Sequence, residues 1–372
     1  VGEQHDGRRV SADLELVPFS FSGYKGLAFH RLLLEDSVRT ESFRRAIAKV
    51  VKEGDVVVDL GAGTGILSYF ACQAGAARVY AIESDSIIEV ARQVARRNGM
   101  DDRITFIKES SWMANLPENV DVVVSECIGW FALGGTMIAA VTQIRDRYLK
   151  RGGAVIPRSI SMFIAPVQSQ RRFSELERWK NDTTYGIDMS PLDKLVKNNV
   201  YLTTMESGSC VSEPQLIETI DLSQGRHNEM LDAEAVFPIA DACRIHGLCG
   251  WFEVDLCENV AFSTSPQRTS TVWRQVFFPL EREVAVEAGS VVDVRLVLRR
   301  SETDVCGCFA WDVGVGIGAV RRMVGTQSTR ASYPHDMDER CEGMTCRPDV
   351  DGRTRNAGIE RRELLKWIVT KM

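Results

Sequence analysis

One segment limits the possible folds more than any other: the apolar run Val56-Val-Val-Asp-Leu60 closed by alternating glycines in Gly61-Ala-Gly-Thr-Gly65. Five residues with no polar alternation suit a strand covered on both faces. Such strands belong to parallel sheets, whose neighbours are reached through crossover helices. Glycine at every second position lets the backbone pass close to a bound molecule where a Cβ would obstruct it, and the segment that follows opens a helix. Val79-Tyr-Ala-Ile82 and Val122-Val-Val124 repeat the strand form. Between them Ile87, Ile88, Val90, Ala91, Val94 and Ala95 recur at helical spacing, with Gly99 at a C-cap position. The spacing predicts an amphipathic crossover helix there.

Beyond Pro157 the texture changes to alternating runs such as Gly250–Leu256 and Val291–Leu298, separated by Gly, Pro and polar clusters, which predict a mainly antiparallel β half. A polar, helix-prone stretch from Gln168 to Leu195 interrupts it, with Phe173, Leu176 and Trp179 three apart. A helical hairpin fits this stretch, and two readings stay open: a helix packed on its own domain, or an arm offering that face to another subunit. The uncharged run Cys127–Ile144 is diluted by Gly129, Gly134, Gly135, Thr136, Thr142 and Gln143, so it reads as a glycine-containing loop entering a buried helix and not as a membrane span.

A chain of 372 residues suggests two or three domains, and 44% hydrophobic with 26% charged residues is the balance of an ordinary soluble protein. A net charge of −6 gives no electrostatic reason to bind nucleic acid. None of the ten cysteines forms a CxxC pair. Cys72, Cys127, Cys243, Cys249 and Cys257 sit singly among apolar residues and are expected to be buried free thiols, with no metal site. The opening VGEQHDGRRV lacks the pattern of a secretory signal, so the expected address is cytoplasmic.

Glu83 ends the strand after the glycine turn, where an acid can accept hydrogen bonds from both hydroxyls of a ribose. The GxGxG spacing, the preceding Asp59 and the absence of an evident reader for a 2′-phosphate favour S-adenosylmethionine over a nicotinamide dinucleotide.

The segments VVVDLGAGTGILSYFACQAGAARVYAIE, VDVVVSECIGWF, YGIDMSPL, GWFEVDL and FSTSPQRTSTVWRQVFF, in that order, resemble the protein arginine methyltransferases over nearly all of residues 20 to 320. The resemblance implies an α/β plus β architecture: a Rossmann-like class I methyltransferase domain followed by a β-barrel-like domain with an inserted helical dimerisation arm. The expected boundaries are an N-terminal helical lid at 1–49, the methyltransferase domain at 50–157, the barrel at 158–326 with its arm at 168–195, and an extension at 327–372. The resemblance also implies that Arg39 pairs with the cofactor carboxylate, that Asp59 takes its amino group and Glu83 its ribose, along the turn of Gly61, Gly63 and Gly65. Phe173, Leu176, Trp179 and Tyr185 would form the arm's interface.

Methylating arginine requires holding a permanently cationic, planar guanidinium against a positive sulfonium, and two carboxylates solve that problem. In the family the first follows a serine at the end of the fourth strand and the second lies nine residues later. Here the first is Glu126 and the second position is Gly135. The family's Thr-His-Trp loop reads Thr271-Val-Trp273, and valine neither orients a carboxylate nor relays a proton. The lid segment reads Ser20-Phe-Ser-Gly-Tyr24, with one aromatic fewer, and the acid expected opposite adenine falls at Trp112 or Met113. A legible scaffold beside a depleted site predicts a prozyme-type subunit that pairs with a catalytic paralogue in a hetero-oligomer of dimers and binds S-adenosylmethionine weakly or not at all. The alternative is a methyltransferase active in its own right.

Overall fold

Apolar runs without polar alternation become central strands here because helices cover both of their faces. The computed structural model describes residues 17–18, 26–133, 137–181, 183–225, 227, 230–299, 308–317 and 320–329. The chain divides into two units, Val1–Tyr333 and Pro334–Met372, and every described residue lies in the first.

After β1 (Val17–Pro18) come α1 (Leu27–Glu35) and α2 (Ser37–Val50). Asp36 separates the two helices and caps α2, its side chain accepting the Arg39 N–H at 3.0 Å. α2 buries Arg39, Ser42, Phe43, Ala46 and Ile47, one face at helical spacing, whereas α1 buries no residue. Next follow β2 (Val56–Leu60), α3 (Ile66–Gln73), β3 (Arg78–Ile82), α4 (Ile88–Arg97), β4 (Ile104–Ile107), β5 (Val120–Ser125), α5 (Met137–Tyr148) and β6 (Leu149–Ile156). Their five strands form a parallel sheet in the order β4-β3-β2-β5-β6. The chain leaves central β2 toward β3 and β4, then returns on its other side through β5 and β6. That reversal opens a crevice at the carboxyl ends of β2, β3 and β5. As the spacing predicted, α4 turns Ile88, Ala91 and Ala95 inward, and Gly99 follows it with φ 62°.

The remaining strands are antiparallel. β7 (Ser159–Val167) leads into the inserted segment, made of α6 (Gln170–Glu177), a 3-10 turn (Arg178–Asn181), β8 (Thr183–Thr184), β9 (Ile187–Asp188) and α7 (Leu192–Lys197). Then come β10 (Tyr201–Thr203), β11 (Gln215–Asp221), β12 (Leu231–Pro238), β13 (Cys243–Cys257), β14 (Val260–Ser263), β15 (Gln275–Val286), β16 (Val291–Arg299), β17 (Cys308–Ile317) and β18 (Val320–Ser328). One sheet runs β1-β10-β15-β13-β7-β11 with β14 on β13, and the other β12-β16-β17-β18. Together they make the barrel-like half, closed over Phe278, Phe309 and Trp311, whose indole donates to the Pro279 carbonyl at 2.9 Å. Buried Arg145 of α5 donates to the carbonyls of Leu222 and Gly225 and so pins the parallel-sheet half to the barrel half.

The inserted segment corrects one expectation. Phe173 and Leu176 do not present a face to another subunit: both are buried on the chain's own barrel. Phe173 packs against the His246 ring at 5.4 Å, and Leu176 joins Ala165, Tyr201, Trp251 and Phe277. Trp179 is half-buried. Helical spacing shows that three residues share a face but not which surface covers it. The apex is a two-stranded hairpin whose turn residues Tyr185 and Gly186 have φ of 55° and 76°, which suits a tight two-residue turn. Tyr185 is 94% exposed and Ile187 62%, so the apolar area of the insertion lies at its tip.

The cysteine reading also needs correction. Cys72 and Cys249 are buried thiols, Cys243 and Cys257 are half-buried, and Cys127 is exposed, because it lies past the end of β5 in the crevice loop. Among the described residues no group of three or more metal-ligating side chains converges, and no helix is long and apolar enough to cross a membrane.

Candidate functional site

The crevice gathers side chains from five parts of the chain. The turn after β2 carries positive φ at Gly61, Gly63 and Gly65 (73°, 52° and 86°), a region that side chains other than glycine seldom adopt. Space is restricted as well. A Cβ at Gly61 would collide with Cys127 Sγ, one at Gly63 would lie 3.2 Å from the His30 ring, and one at Gly65 would lie 2.6 Å from the Tyr69 hydroxyl.

Asp59 is fully buried at the end of β2. Its Oδ2 accepts from the Ser68 amide at 2.9 Å and the Ser68 hydroxyl at 2.7 Å, whereas Oδ1 has no hydrogen-bond partner. Burial raises its pKa to about 6, against the opposing pull of the Ser68 bonds. An orphaned carboxylate oxygen in this position fits a cationic amino group. Glu83 accepts from the Gly63 amide at 3.0 Å and the Asp85 amide at 2.8 Å, which fixes its carboxylate beside the glycine turn. These residues fit the cofactor anticipated for the turn: Asp59 would meet its amino group, Glu83 its ribose, and the glycines would let its chain lie close.

Arg39 and Glu126 meet. The Arg39 Nε and Nη2 both bind Glu126 Oε2, and the two side chains are 6% and 5% exposed. Arg39 Nη1 also donates to the Leu33 carbonyl and the Thr40 hydroxyl, at 3.2 and 3.3 Å. Burial pushes the Glu126 carboxyl above its usual range and the Arg39 charge pulls it back. The remaining oxygen, Oε1, accepts from the Ile128 amide at 3.4 Å. The side chain that the resemblance assigns to the cofactor carboxylate thus grips the side chain that it assigns to the acceptor. Gly135 lies outside the described residues, as does the lid segment Ser20–Tyr24. Val272 is half-buried, and its amide donates to Asp36 Oδ2 at 2.8 Å. Trp112 and Met113 are exposed.

Sequence reasoning missed four residues that organise this crevice. His30 of α1 lies over Gly63 and its pKa is lowered by burial. Ser68 holds Asp59. Asp36 bonds both the Arg39 and Val272 amides and so ties α2 to the loop before β15. Trp273 donates its indole N–H to the Ile128 carbonyl at 3.0 Å and stacks on Phe262, anchoring the acceptor loop to the barrel. Two had a sequence signal: Asp36 as an N-cap acid directly before a helix, and Trp273 as the last residue of the Thr271-Val-Trp273 loop, although its tie to Ile128 had none.

Similarity to known proteins agrees with this geometry. A family model described as the arginine methyltransferase oligomerization subdomain matches residues 158–306, and one for ribosomal protein L11 methyltransferase matches residues 40–157. Protein arginine N-methyltransferase 6 of Danio rerio is 33% identical over 313 residues, covering 80% of this chain and 90% of that protein. Protein arginine N-methyltransferase 1.1 of Arabidopsis thaliana is 32% identical over 302 residues, covering 78% and 76%. Two solved structures resemble the fold at 25% identity, each covering 82% of this chain and 99% of the other. They are an open form of Arabidopsis thaliana protein arginine methyltransferase 10, with a TM-score of 0.73, and a Trypanosoma brucei PRMT1 enzyme-prozyme heterotetrameric complex with AdoHcy, with a TM-score of 0.74.

Proposed function

Since this chain belongs to the protein arginine methyltransferase family, we propose that it is a non-catalytic regulatory subunit that pairs with a catalytic paralogue and activates or stabilises it. The observation that carries this reading is the state of the acceptor side. Glu126 is engaged by Arg39, the residue in place of the second carboxylate is Gly135, and the residue in place of the loop histidine is Val272. An incoming guanidinium needs a preorganised pair of anions, and losing one such partner costs roughly a hundredfold to a thousandfold in rate.

S-adenosylmethionine, when bound, supplies an electrophilic methyl group on a sulfonium. Asp59, Glu83 and the glycine turn would hold it, with His30 against the turn. Arg39 would have to divide its guanidinium between the cofactor carboxylate and Glu126. With Ser20 where the lid has an aromatic, and Trp112 and Met113 where an acid would face adenine, the affinity is proposed to be weak.

The inserted arm supports the pairing. Its tip exposes Tyr185 and Ile187 on a hairpin held away from the barrel core, and burying a large apolar side chain contributes roughly 1.5–3 kcal/mol. One of the similar solved structures is itself a complex of an enzyme with a prozyme. The assembly is proposed to be cytoplasmic, which the buried free thiols Cys72 and Cys249 support.

The test is transfer of labelled methyl to an arginine-rich peptide. The chain alone should give background, and adding the catalytic paralogue should give turnover that depends on stoichiometry. Tyr185→Ser with Ile187→Ser should weaken co-purification and lower the paralogue's rate together. A robust rate from the chain alone would establish the second reading, an independent arginine methyltransferase. That reading is favoured by the preserved set of Asp59, Glu83 and Glu126 and by the enzymes among its relatives.

A further inference from the structure

The root of the arm hangs on one buried imidazole. His246 of β13 is 1% exposed, and its Nδ1 accepts the amide N–H of Ser169, the residue that opens α6, at 3.1 Å. A ring nitrogen that accepts carries no proton, so the proton sits on Nε2, which donates to Gln170 Oε1 at 2.9 Å. The two residues that begin the arm are therefore held by one neutral ring in one tautomer. We propose that His246 is a pH-sensitive latch: on protonation its Nδ1–H confronts the Ser169 N–H, and the first turn of α6 lets go of the barrel.

The surroundings set the direction. Glu283 of β15 has Oε2 at 3.5 Å from Nε2 and also pairs with Arg244 on the histidine's own strand. On α6, Glu177 faces the ring electrostatically and Arg172 is committed to the Thr204 carbonyl and Glu175. On α7, Lys197 lies over the Phe173 ring at 5.5 Å and pairs with Asp193 at 2.9 Å, while Glu206 accepts from the Ser169 hydroxyl at 3.2 Å. Burial lowers the histidine's proton affinity, and Glu283 opposes that. A histidine that binds its proton less readily when latched than when released makes the latched state lose ground as pH falls through the ordinary histidine range. Each pH unit separating the two affinities is worth about tenfold in the latching equilibrium. That a released arm also loosens pairing rests on the function proposed above.

Hydrogen exchange of peptides within 169–197 in the full-length chain, corrected for intrinsic rates between pH 8 and pH 5, tests the latch. Protection should fall severalfold or more through the histidine range in the native chain. His246→Asn, whose amide oxygen can still accept from Ser169 without titrating, should remove that pH dependence. Glu283→Gln withdraws the charge favouring protonation, so the transition should move to lower pH even if the asparagine variant fails to fold. Unchanged protection in the native chain, or an identical profile in both variants, overturns the latch. Native mass measured in parallel separates the two ideas. Arm release without any change in assembly upholds the latch and removes the pairing role.

Discussion

The two walls of the crevice have kept different chemistry. On the wall formed by β2 and β3 stand a carboxylate with an unsatisfied oxygen, a second carboxylate fixed by backbone amides and three left-handed glycines. On the wall formed by the loop after β5, the carboxylate is already spent on an arginine of the same chain. A site that is built but unpaired is poised for a ligand, because an orphaned buried oxygen costs stability until something charged meets it. A site whose charges satisfy each other gains little from a guest. The comparison shows one fold placing a carboxylate with an orphaned oxygen on one wall and a charge pair closed within the chain on the facing wall.

The largest expected effect comes from breaking that pair. Glu126→Ala should strand the buried Arg39 cation and destabilise the chain by about 3–5 kcal/mol in denaturant unfolding. Replacing both members by apolar residues of similar size should recover most of that loss. If Glu126→Ala proves neutral, the acceptor wall is not a structural joint and the comparison fails.

The binding wall is sharpened by pH. Asp59 holds its proton up to a pH of about 6 when folded, against 3.8 for the free acid. The folded state therefore binds that proton more tightly than the unfolded state, and the stability this contributes is full below 3.8 and lost as pH rises to about 6. In the ligand-free chain the loss should reach up to about 3 kcal/mol, and Asp59→Asn should abolish it. Calorimetric melting from pH 4 to pH 8 reads both. Binding of S-adenosylhomocysteine, which carries the same amino group, should strengthen over the same rise in pH, and a flat profile would mean that Asp59 does not meet that group.

A smaller effect attaches to the tether between loop and barrel. Trp273→Phe removes the indole donor and leaves the Ile128 carbonyl unpaired, at a cost of about 1–2 kcal/mol in unfolding. It should also speed local hydrogen exchange in residues 126–133. The smallest effect is expected from restoring groups. Gly135→Glu with Val272→His should leave methyl transfer by the isolated chain at or near background, because Arg39 still occupies Glu126 and the lid still lacks its aromatic. Strong rescue in the labelled-methyl assay would show that the acceptor wall is intact apart from those two positions.

Much of this was readable beforehand. Val56–Leu60 and the glycines are contiguous, and Glu83 follows the very next strand, 20 positions after Gly63, so the strand-helix-strand order alone places them along one sheet edge. Glu126 was legible through the family's motif, as the acid directly after Ser125, where β5 ends. The pairing of Arg39 with Glu126 spans 87 positions in the chain, and local spacing carries no information on which of two candidate partners a guanidinium will take. The roles of Asp36, Ser68 and Trp273 escaped notice for a similar reason: each acts through a bond to another residue's backbone or side chain, and a bond partner is a property of packing.

By itself, then, the sequence determined the parallel strands with their crossover helices, the antiparallel half and the glycine turn, since each follows from residue type and short-range periodicity, while Gly135 and Val272 stood out only against the family's motifs. Tertiary structure alone decided that Phe173 and Leu176 face the chain's own barrel, that the exposed tip belongs to Tyr185 and Ile187, and that Glu126 is held by Arg39. Which surface covers an apolar face, and which charge neutralises another, is settled only when distant segments compete for the same buried space.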